Sequence, residues 1–231
     1  HRSKDKKLNL AVSNMFSIQK NNVINSDITR SAFSLSPNAP ALYNDDGTLN
    51  WENNTWSNPV AAYNATYSNQ NIQYLTNLNI AYDLFKNITL KLGGGVNYQA
   101  FEEWNISPNT IYNPAYVTGQ SSAYSKASKN NQNRLSYILE PQINWKFSHE
   151  KHALDILVGG TFQNENNSYG SMSGTGFESN ALIHNISAAK TKTIEDQYNT
   201  QYRYVAFFGR VNYQLDKKYI LNITGRRDGS S

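Results

Sequence analysis

Residues 88–98 read ITLKLGGGVNY, with Ile88, Leu90, Leu92, Val96 and Tyr98 on alternate positions. The positions between them are polar or glycine. Because successive side chains of a β-strand point to opposite faces of the sheet, this period of two predicts a strand with one apolar and one polar face. The run is close to the roughly 9–11 residues that a tilted strand needs to cross a bilayer.

The same alternation recurs along the rest of the chain. Six further runs begin near Leu8, Thr76, Leu135, Leu154, Val205 and Tyr219. The sequence therefore predicts an all-β fold of about seven antiparallel strands, and we treat residues 1–231 as one partial barrel domain.

The connections between these runs are of two kinds. Three are very short and polar, and the segments between the paired runs are long and polar: the short ones are 85–87, 148–151 and 216–218, and the long ones are 17–73, 99–133 and 164–197. Bacterial outer-membrane barrels combine short periplasmic turns with long extracellular loops. The pattern predicts an antiparallel transmembrane β-barrel segment with this asymmetry.

Aromatic residues mark both ends of the predicted strands. Near the short connections are Tyr82, Phe85, Trp145, Phe147, Tyr213 and Tyr219. Near the long segments are Tyr74, Tyr98, Phe101, Tyr137 and Phe162. Because aromatic rings favour the boundary between lipid and water, we expect these to form two membrane-interface girdles. Ordinary strand propensity of aromatic residues is the alternative explanation.

Composition excludes several classes of protein. Charged residues make up 16% of the chain, below the roughly 25% of an average globular domain, while about one residue in seven is Asn. The mean hydropathy of −0.65 leaves no run that resembles a membrane helix. The absence of cysteine excludes disulfides and thiolate sites from this chain, and the net charge of +4 is too scattered for a nucleic-acid surface.

The C-terminal part of the sequence resembles a known family. The segments 205–213 (VAFFGRVNY), 218–221 (KYIL) and 226–231 (RRDGSS) are similar to the SusC/RagA family of TonB-dependent outer-membrane transporters. Weaker similarities lie at 58–62 (NPVAA) and 151–155 (KHALD).

This resemblance implies a bacterial outer-membrane importer of oligosaccharides or peptides, with no enzymatic activity and no cofactor. Its barrel has about 22 strands and encloses an N-terminal plug. A SusD-like surface lipoprotein closes the barrel as a lid, and TonB acts through the N-terminal region, which these residues do not include. Because the seventh run ends without a following partner, we expect the chain to be part of a larger barrel.

Several aromatic residues in the long segments are candidates for contact with substrate or lid. They are Tyr43, Trp51, Trp56, Trp104, Tyr112 and Tyr116. Aromatic rings beside Asn and Asp suit sugars, whose apolar faces stack on rings while their hydroxyls form hydrogen bonds. The glycine-rich segment 170–177 is a further candidate for such contact. The alternative is that these residues pack the loops against one another.

Metal sites have weak support in the sequence. The Asp45-Asp46-Gly47 segment does not keep the register of an EF-hand loop, so a turn at a loop tip is the favoured interpretation. His149 and His152 lack the HExxH spacing, and we expect them to be solvated turn residues. We therefore predict no metal.

Two rival functions use the same residues. A soluble β-sandwich that binds carbohydrate would also show alternation and aromatic loops. A β-rich glycoside hydrolase would need two carboxylates across a cleft, and only Glu102, Glu103 and Glu165 are candidates. Glu102 and Glu103 are adjacent, so in a strand they point to opposite faces. In the favoured barrel, charged residues at the polar positions face the lumen or plug: Lys91, Glu140, Lys146, Arg210 and Arg226.

Overall fold

The computed structural model describes residues 1–116 and 121–231, and its strands form one sheet. The strands are β1 (Leu8–Ile24), β2 (Thr66–Phe85), β3 (Ile88–Ser107), β4 (Lys126–His149), β5 (His152–Thr175), β6 (Thr191–Leu215) and β7 (Tyr219–Ser230). Each strand pairs antiparallel with the next, in sequence order. This confirms the all-β prediction of about seven antiparallel strands.

The described helices are short and lie in the connections. They are α1 (Thr29–Ser34) and the 3-10 turns Pro59–Asn64, Asn109–Ile111, Ser122–Tyr124, Asn180–Leu182 and Ile186–Ala188. No helix in the described parts of the chain has the length and apolar character required to cross a membrane.

The alternation of short and long connections is confirmed, but the predicted long segments were too long. The strands meet at two-residue turns at 86–87 and 150–151 and at a three-residue turn at 216–218. The long connections are 25–65, 108–125 and 176–190, because the strands continue well into the polar segments. Most of the predicted glycine-rich loop 170–177 belongs to β5.

Cross-strand pairing of amide side chains explains these extensions. The Asn21 amide donates to Asn69 across β1 and β2 at 3.0 Å, and the Gln132 amide donates to Asn167 across β4 and β5 at 3.0 Å. Such pairs stabilise a sheet without any apolar alternation. A search for apolar period-two runs therefore could not detect this half of the strands.

The sheet has two chemically distinct faces. The apolar face carries Leu90, Ile143 and Val158, which are neighbours in register across β3, β4 and β5. Ile143 and Val158 are 52% and 57% exposed. The polar face carries residues such as Thr161 and Ala206, which are almost fully buried by their neighbours. Large apolar side chains of this sheet are thus left exposed instead of being buried in a core, unlike those of a soluble fold.

The predicted aromatic positions follow the apolar face with one exception. Tyr74 and Tyr98 are register neighbours on that face, as are Trp145 and Ile156 further down the sheet. Phe101 was wrongly grouped with the other ring residues. It is an odd number of residues from Tyr98, so its side chain lies on the polar face, opposite Asn71.

The apolar face is not apolar along its whole length. In β2 and β3 it is mainly apolar from the short turns as far as the register row of Tyr74 and Tyr98, with Ile72 and Ala100 one row beyond, whereas in β5 and β6 the apolar run ends at Phe162 and Val205. Beyond that row the same face carries polar residues such as Gln70 and Glu102. In β3, residues 99–107 extend past the apolar band by about 30 Å of strand.

A small hydrophobic core lies at the far end of the sheet. Its buried members are Ile106, Ala127, Phe177, Ile183, Ile186 and Ala189. The connection 176–190 folds back over the ends of β3, β4 and β5 to form it. Gly174 permits this approach, since a Cβ at that position would lie 2.8 Å from the Cβ of Ala189.

Candidate functional site

Two of the long connections are joined by one buried side chain. The amide of Asn113 donates to the carbonyl oxygens of Asn54 at 3.1 Å and Trp56 at 3.0 Å, and Asn113 is 3% exposed. This contact places the Trp56 segment against the connection that carries Tyr112 and Tyr116. Residues 109–116 are therefore held against the connection 25–65 at the far end of the sheet.

The candidate aromatics of these two connections differ in exposure. Tyr116 is 78% exposed and Tyr43 is 50% exposed, whereas Trp51 and Trp56 are half-buried. The backbone N–H of Trp56 donates to the carbonyl of Trp51 at 3.3 Å. Tyr43 and Tyr116 thus have solvent-exposed rings at the far end of the sheet, whereas the half-buried rings of Trp51 and Trp56 also pack within the loops.

Trp104 belongs to strand β3 and not to a connection. It projects from β3 beside the connection 176–190, where its ring meets His184 edge-on at 5.5 Å. The ammonium of Lys129 sits 5.0 Å above the same ring, and the indole N–H donates to Glu102 at 3.1 Å. Trp104 is thus held by packing and polar contacts at the far end of the apolar face.

The Asp45-Asp46-Gly47 segment forms a turn, as the sequence favoured. Tyr43 and Leu49 form an isolated antiparallel bridge around it, and Gly47 takes a positive φ of 81°. The carboxylate of Asp46 accepts hydrogen bonds from the Thr48 hydroxyl at 2.6 Å and the Thr48 backbone N–H at 2.9 Å. These hydrogen bonds, that of the hydroxyl first, hold the pKa of Asp46 below its ordinary value.

The three candidate catalytic carboxylates are separated and engaged. Glu102 pairs with Lys129 at 2.9 Å on the apolar face. Glu103 lies on the other face and accepts the Tyr67 hydroxyl at 2.6 Å. Glu165 forms an ion pair with Arg134 at 2.7 Å. None of these pairs places two carboxyl groups across a cleft, which glycoside hydrolysis needs.

The two histidines of the turn at 150–151 have different surroundings. His149 is exposed and lies 4.0 Å from Glu150. His152 is exposed too, but its Nδ1 is 2.6 Å from the hydroxyl of Tyr213, and the two rings stack. The side chain of His152 is therefore held by a neighbouring strand and is not only solvated, as the sequence predicted. The sequence did not indicate this contact because Tyr213 is distant along the chain.

The five charged residues expected to face a lumen all lie on the polar face by register: Lys91, Glu140, Lys146, Arg210 and Arg226. Glu140 accepts from the hydroxyl of Thr161 at 3.2 Å, and Arg226 pairs with Asp228 at 2.7 Å. Glu140 is thus tied to the neighbouring strand β5, whereas Arg226 and Asp228 pair within β7.

Comparison with known proteins agrees with this architecture, although no family model matches the chain. The chain is 28% identical over 209 residues to "TonB-dependent receptor P3" of Formosa agariphila, covering 89% of the chain and 20% of that protein. It is 26% identical over 214 residues to "TonB-dependent receptor P26" of the same organism, and this match covers 87% of the chain and 20% of that protein. The chain thus spans about a fifth of the length of the curated relatives it matches.

Solved structures give the same result. The RagAB peptide importer in its open-open state is 26% identical with a TM-score of 0.64, covering 75% of this chain and 19% of that one. The closed-closed state covers 99% of this chain and 26% of that one with a TM-score of 0.73 at 21% identity, which shows the shared fold.

The sheet is therefore of the kind found in TonB-dependent barrels. Within that class, the matches to the two receptors and to RagAB agree with the similarity of segment 205–231 to SusC/RagA proteins. The chain is thus similar in sequence and in fold to one stretch of these TonB-dependent receptors and of the RagAB importer.

Proposed function

We propose that the chain forms part of the wall and external loops of a bacterial outer-membrane importer that takes up large nutrients in a TonB-dependent manner. The exposed apolar band on one face of a single sheet carries this proposal. A soluble monomer rarely exposes a contiguous apolar surface of this extent. Such a surface is suited to contact with the hydrocarbon interior of a bilayer.

The opposite face then lines the lumen. In a barrel the lipid-facing and lumen-facing residues alternate along every strand, and a lumen is polar. The close packing of Thr161 and Ala206 on the polar face supports its place on the inside of a curved wall. Because an open sheet edge is unsatisfied in lipid, the strands β1 and β7 need partners from the rest of a closed barrel.

The asymmetry of the connections supports an orientation. We place the turns at 86–87, 150–151 and 216–218 in the periplasm and the connections 25–65, 108–125 and 176–190 outside the cell. The exposed rings of Tyr43, Tyr112 and Tyr116 then face the medium. We propose that these rings, together with Trp51, Trp56 and Trp104, contact substrate or a SusD-like surface lipoprotein.

The remaining parts of the transport cycle lie outside these residues. The family resemblance implies that TonB acts on a plug-bearing N-terminal region, whose movement opens a path along the wall. The chain supplies the wall and the outer loops of that path, and substrates of the size of peptides or oligosaccharides are proposed. We propose no enzymatic role, since Glu102, Glu103 and Glu165 are each held in separate contacts.

The soluble sandwich does not fit the observed sheet. A sandwich buries its apolar side chains between two layers. All seven strands in the described parts of the chain belong to one layer, and Ile143, Val158 and Phe207 are each more than half exposed.

Cysteine labelling tests the proposed orientation, because this chain contains no cysteine of its own. In the intact protein, we expect a membrane-impermeant maleimide to label Tyr116→Cys on whole cells. The matched Lys217→Cys, in a short turn, should be labelled only after the outer membrane is permeabilised. Equal labelling of both variants on whole cells would reject the orientation, and recovery of the protein from the soluble fraction would reject the importer.

A further inference from the structure

One register row on the apolar face runs from a shallow apolar depression to an arginine. The row carries Leu92, Pro141, Gly160, Phe207 and Arg227, on β3 to β7 in order. Its first four residues line a depression of about 580 Å³, because the small Gly160 and Pro141 leave space between larger neighbours. Arg227 is the next residue of the row and is exposed. An apolar surface of this shape therefore ends beside a cation.

The depression fits a hydrocarbon chain. The apolar-face side chains around it are aliphatic or aromatic, and Ile143 and Val158 are each more than half exposed. The rings of Phe162 and Phe207 meet edge to face on one side of it, with centroids 5.9 Å apart. In the proposed wall this face contacts the bilayer, where acyl chains are the groups that can fill such a space.

The row rises toward the outer surface of the proposed membrane. Leu92 is four residues from the start of β3 at Ile88, whereas Arg227 is eight residues from the start of β7 at Tyr219. Both strands start at short turns, which lie at one level in the proposed orientation. The difference corresponds to about 13 Å of strand, or about 10 Å of height at the usual tilt of barrel strands. The depression thus lies deeper in the bilayer than Arg227.

A second arginine lies beyond Arg227 on the same face. Arg203 is four residues along β6 from Phe207, which is the register partner of Arg227. By the same arithmetic Arg227 is about 20 Å and Arg203 about 30 Å above the short turns, while an apolar band is about 25 Å tall. The two side chains therefore lie on either side of the outer edge of the band, where one headgroup can contact both.

Neither arginine has a counter-charge on this face. Neither forms an ion pair with any carboxylate in residues 1–116 and 121–231. Their neighbours on the apolar face of β5 to β7 are neutral: Asn164, Val205, Phe207, Gly225, Gly229 and Ser231. Arg226, the next residue in sequence, lies on the polar face and is held by Asp228 and Tyr204.

Phosphate is the anion that suits two such arginines. A guanidinium group donates two parallel hydrogen bonds to phosphate oxygens, and these bonds strengthen where water is scarce. Basic residues at a bilayer boundary also recognise anionic lipid headgroups. Free phosphate would leave the apolar depression unfilled, so the combination of depression and arginines favours a lipid as the source of the phosphate.

We infer that the apolar depression, Arg203 and Arg227 form a binding site for a phosphate-bearing lipid of the outer leaflet. An acyl chain of the lipid lies in the depression, and its phosphate lies between the two guanidinium groups. This inference rests on the orientation of the importer proposed above. It adds a bound lipid that is separate from the transported nutrient.

The test uses the intact protein purified in a neutral detergent. Bisphosphorylated lipid A and the same lipid after phosphatase treatment are titrated separately, and bound lipid is counted by native mass spectrometry. We expect the phosphorylated lipid to bind roughly tenfold or more tightly, the effect of the charge-assisted hydrogen bonds. An equal concentration of inorganic phosphate should not displace it.

Two sets of variants separate the charges from the depression. Arg203→Gln/Arg227→Gln should bind the phosphorylated lipid roughly tenfold or more weakly. The matched Lys217→Gln/Lys218→Gln removes the same net charge from a short turn and should bind as the native protein does. Val158→Trp, which fills the depression and leaves both arginines in place, should weaken binding roughly threefold or more.

A crosslinking experiment identifies what occupies this face in cells. Substitution of Phe207 by the photoreactive p-benzoylphenylalanine should give a lipid adduct on irradiation. A crosslink to a second copy or to another protein overturns the inference, as does equal binding of the dephosphorylated lipid, displacement by inorganic phosphate, or native affinity in the Arg203→Gln/Arg227→Gln variant. A protein that never reaches the outer membrane contradicts the importer proposal itself, whereas an assembled barrel that binds no phosphorylated lipid overturns only this inference.

Discussion

The two halves of strand β3 differ in the pattern of their side chains. Residues 88–98 alternate apolar and polar side chains, whereas in residues 99–107 both faces mix the two kinds, with Glu102 beside Trp104 on one face and Phe101 beside Glu103 on the other. Both halves keep continuous register with β2 and β4. The same backbone structure is thus maintained in two environments, by exposed apolar side chains near the short turns and by amide pairs and a small core at the far end.

In the proposed barrel, the sheet is therefore longer than the part that would cross the membrane. The apolar band has the length that a bilayer requires, and the strands continue outward beyond it. The far halves carry the long connections and bring their side chains together. The first two predictions below test whether the boundary between the two halves lies near the row of Tyr74 and Tyr98, and the others test the contacts that hold the far half together.

The largest effect is expected for a charge placed in the apolar band. Arginine on the lipid face near the bilayer midplane costs about 2–4 kcal/mol, so Ile143→Arg should reduce the amount of folded barrel in the outer membrane. Gln142→Arg, on the opposite face, should assemble normally. Assembly is measured as the fraction of the intact protein that shows heat-modifiable migration in gels.

An arginine placed outside the apolar band, in the far half of β4, is the matching test of where the band ends. Asn131→Arg lies on the same face of the same strand as Ile143 but in the far half, opposite Glu102. We expect assembly within error of the unmodified protein, because this position is in water. A loss as large as that of Ile143→Arg would move the membrane boundary outward and contradict the two-halves description.

The small core of the far half is tested at Gly174. A Cβ there approaches Ala189 and Phe177 closely, so Gly174→Val should overpack the core at a cost of about 1–3 kcal/mol. Gly170→Val, four residues earlier on the same face, meets no atom within 4 Å and serves as the control. Limited proteolysis of the connection 176–190 should accelerate only for Gly174→Val, while assembly of the band is retained.

The joint between the two outer connections is tested at Asn113. Asn113→Ala leaves the carbonyls of Asn54 and Trp56 without their amide donor, at a local cost of about 1–3 kcal/mol. Hydrogen exchange in the segment 51–58 should become faster. The exposed Asn38→Ala should have no effect, and an equal change in both variants would show that the joint is not structural.

The smallest effect is expected when the pH is lowered, and it concerns the turn that contains Asp46. Because the folded-state pKa of Asp46 is lowered by hydrogen bonds from Thr48, its contribution is present above the unfolded pKa and disappears as pH falls through the folded value. Protection of the Thr48 amide against hydrogen exchange, measured relative to its intrinsic rate at each pH, should therefore fall at acidic pH. Asp46→Asn should remove most of this pH dependence, whereas Asp45→Asn should preserve it.

The apolar halves of the strands could be predicted from the sequence, and the polar halves could not. The apolar period of two located seven strands and three short turns correctly, because a lipid-facing surface must be apolar at every second residue. It placed the ends of the strands too early, since residues such as Asn71 and Gln132 are held in the sheet by partners on other strands. The similarity of 205–231 to SusC/RagA proteins was confirmed, and contact with substrate or lid stays a prediction for every candidate residue.

The sequence by itself determined the strand count, the two faces, the short-turn end and the protein class, because each depends on residues that are close together along the chain. Only the tertiary structure decided that Phe101 shares a face with Tyr169 and Tyr198, that Asn113 joins two loops, and that Trp104 packs on His184. These contacts join positions on different strands or loops. The register of the hydrogen-bonded sheet brings such positions together, and the order of residues along one strand does not reveal it.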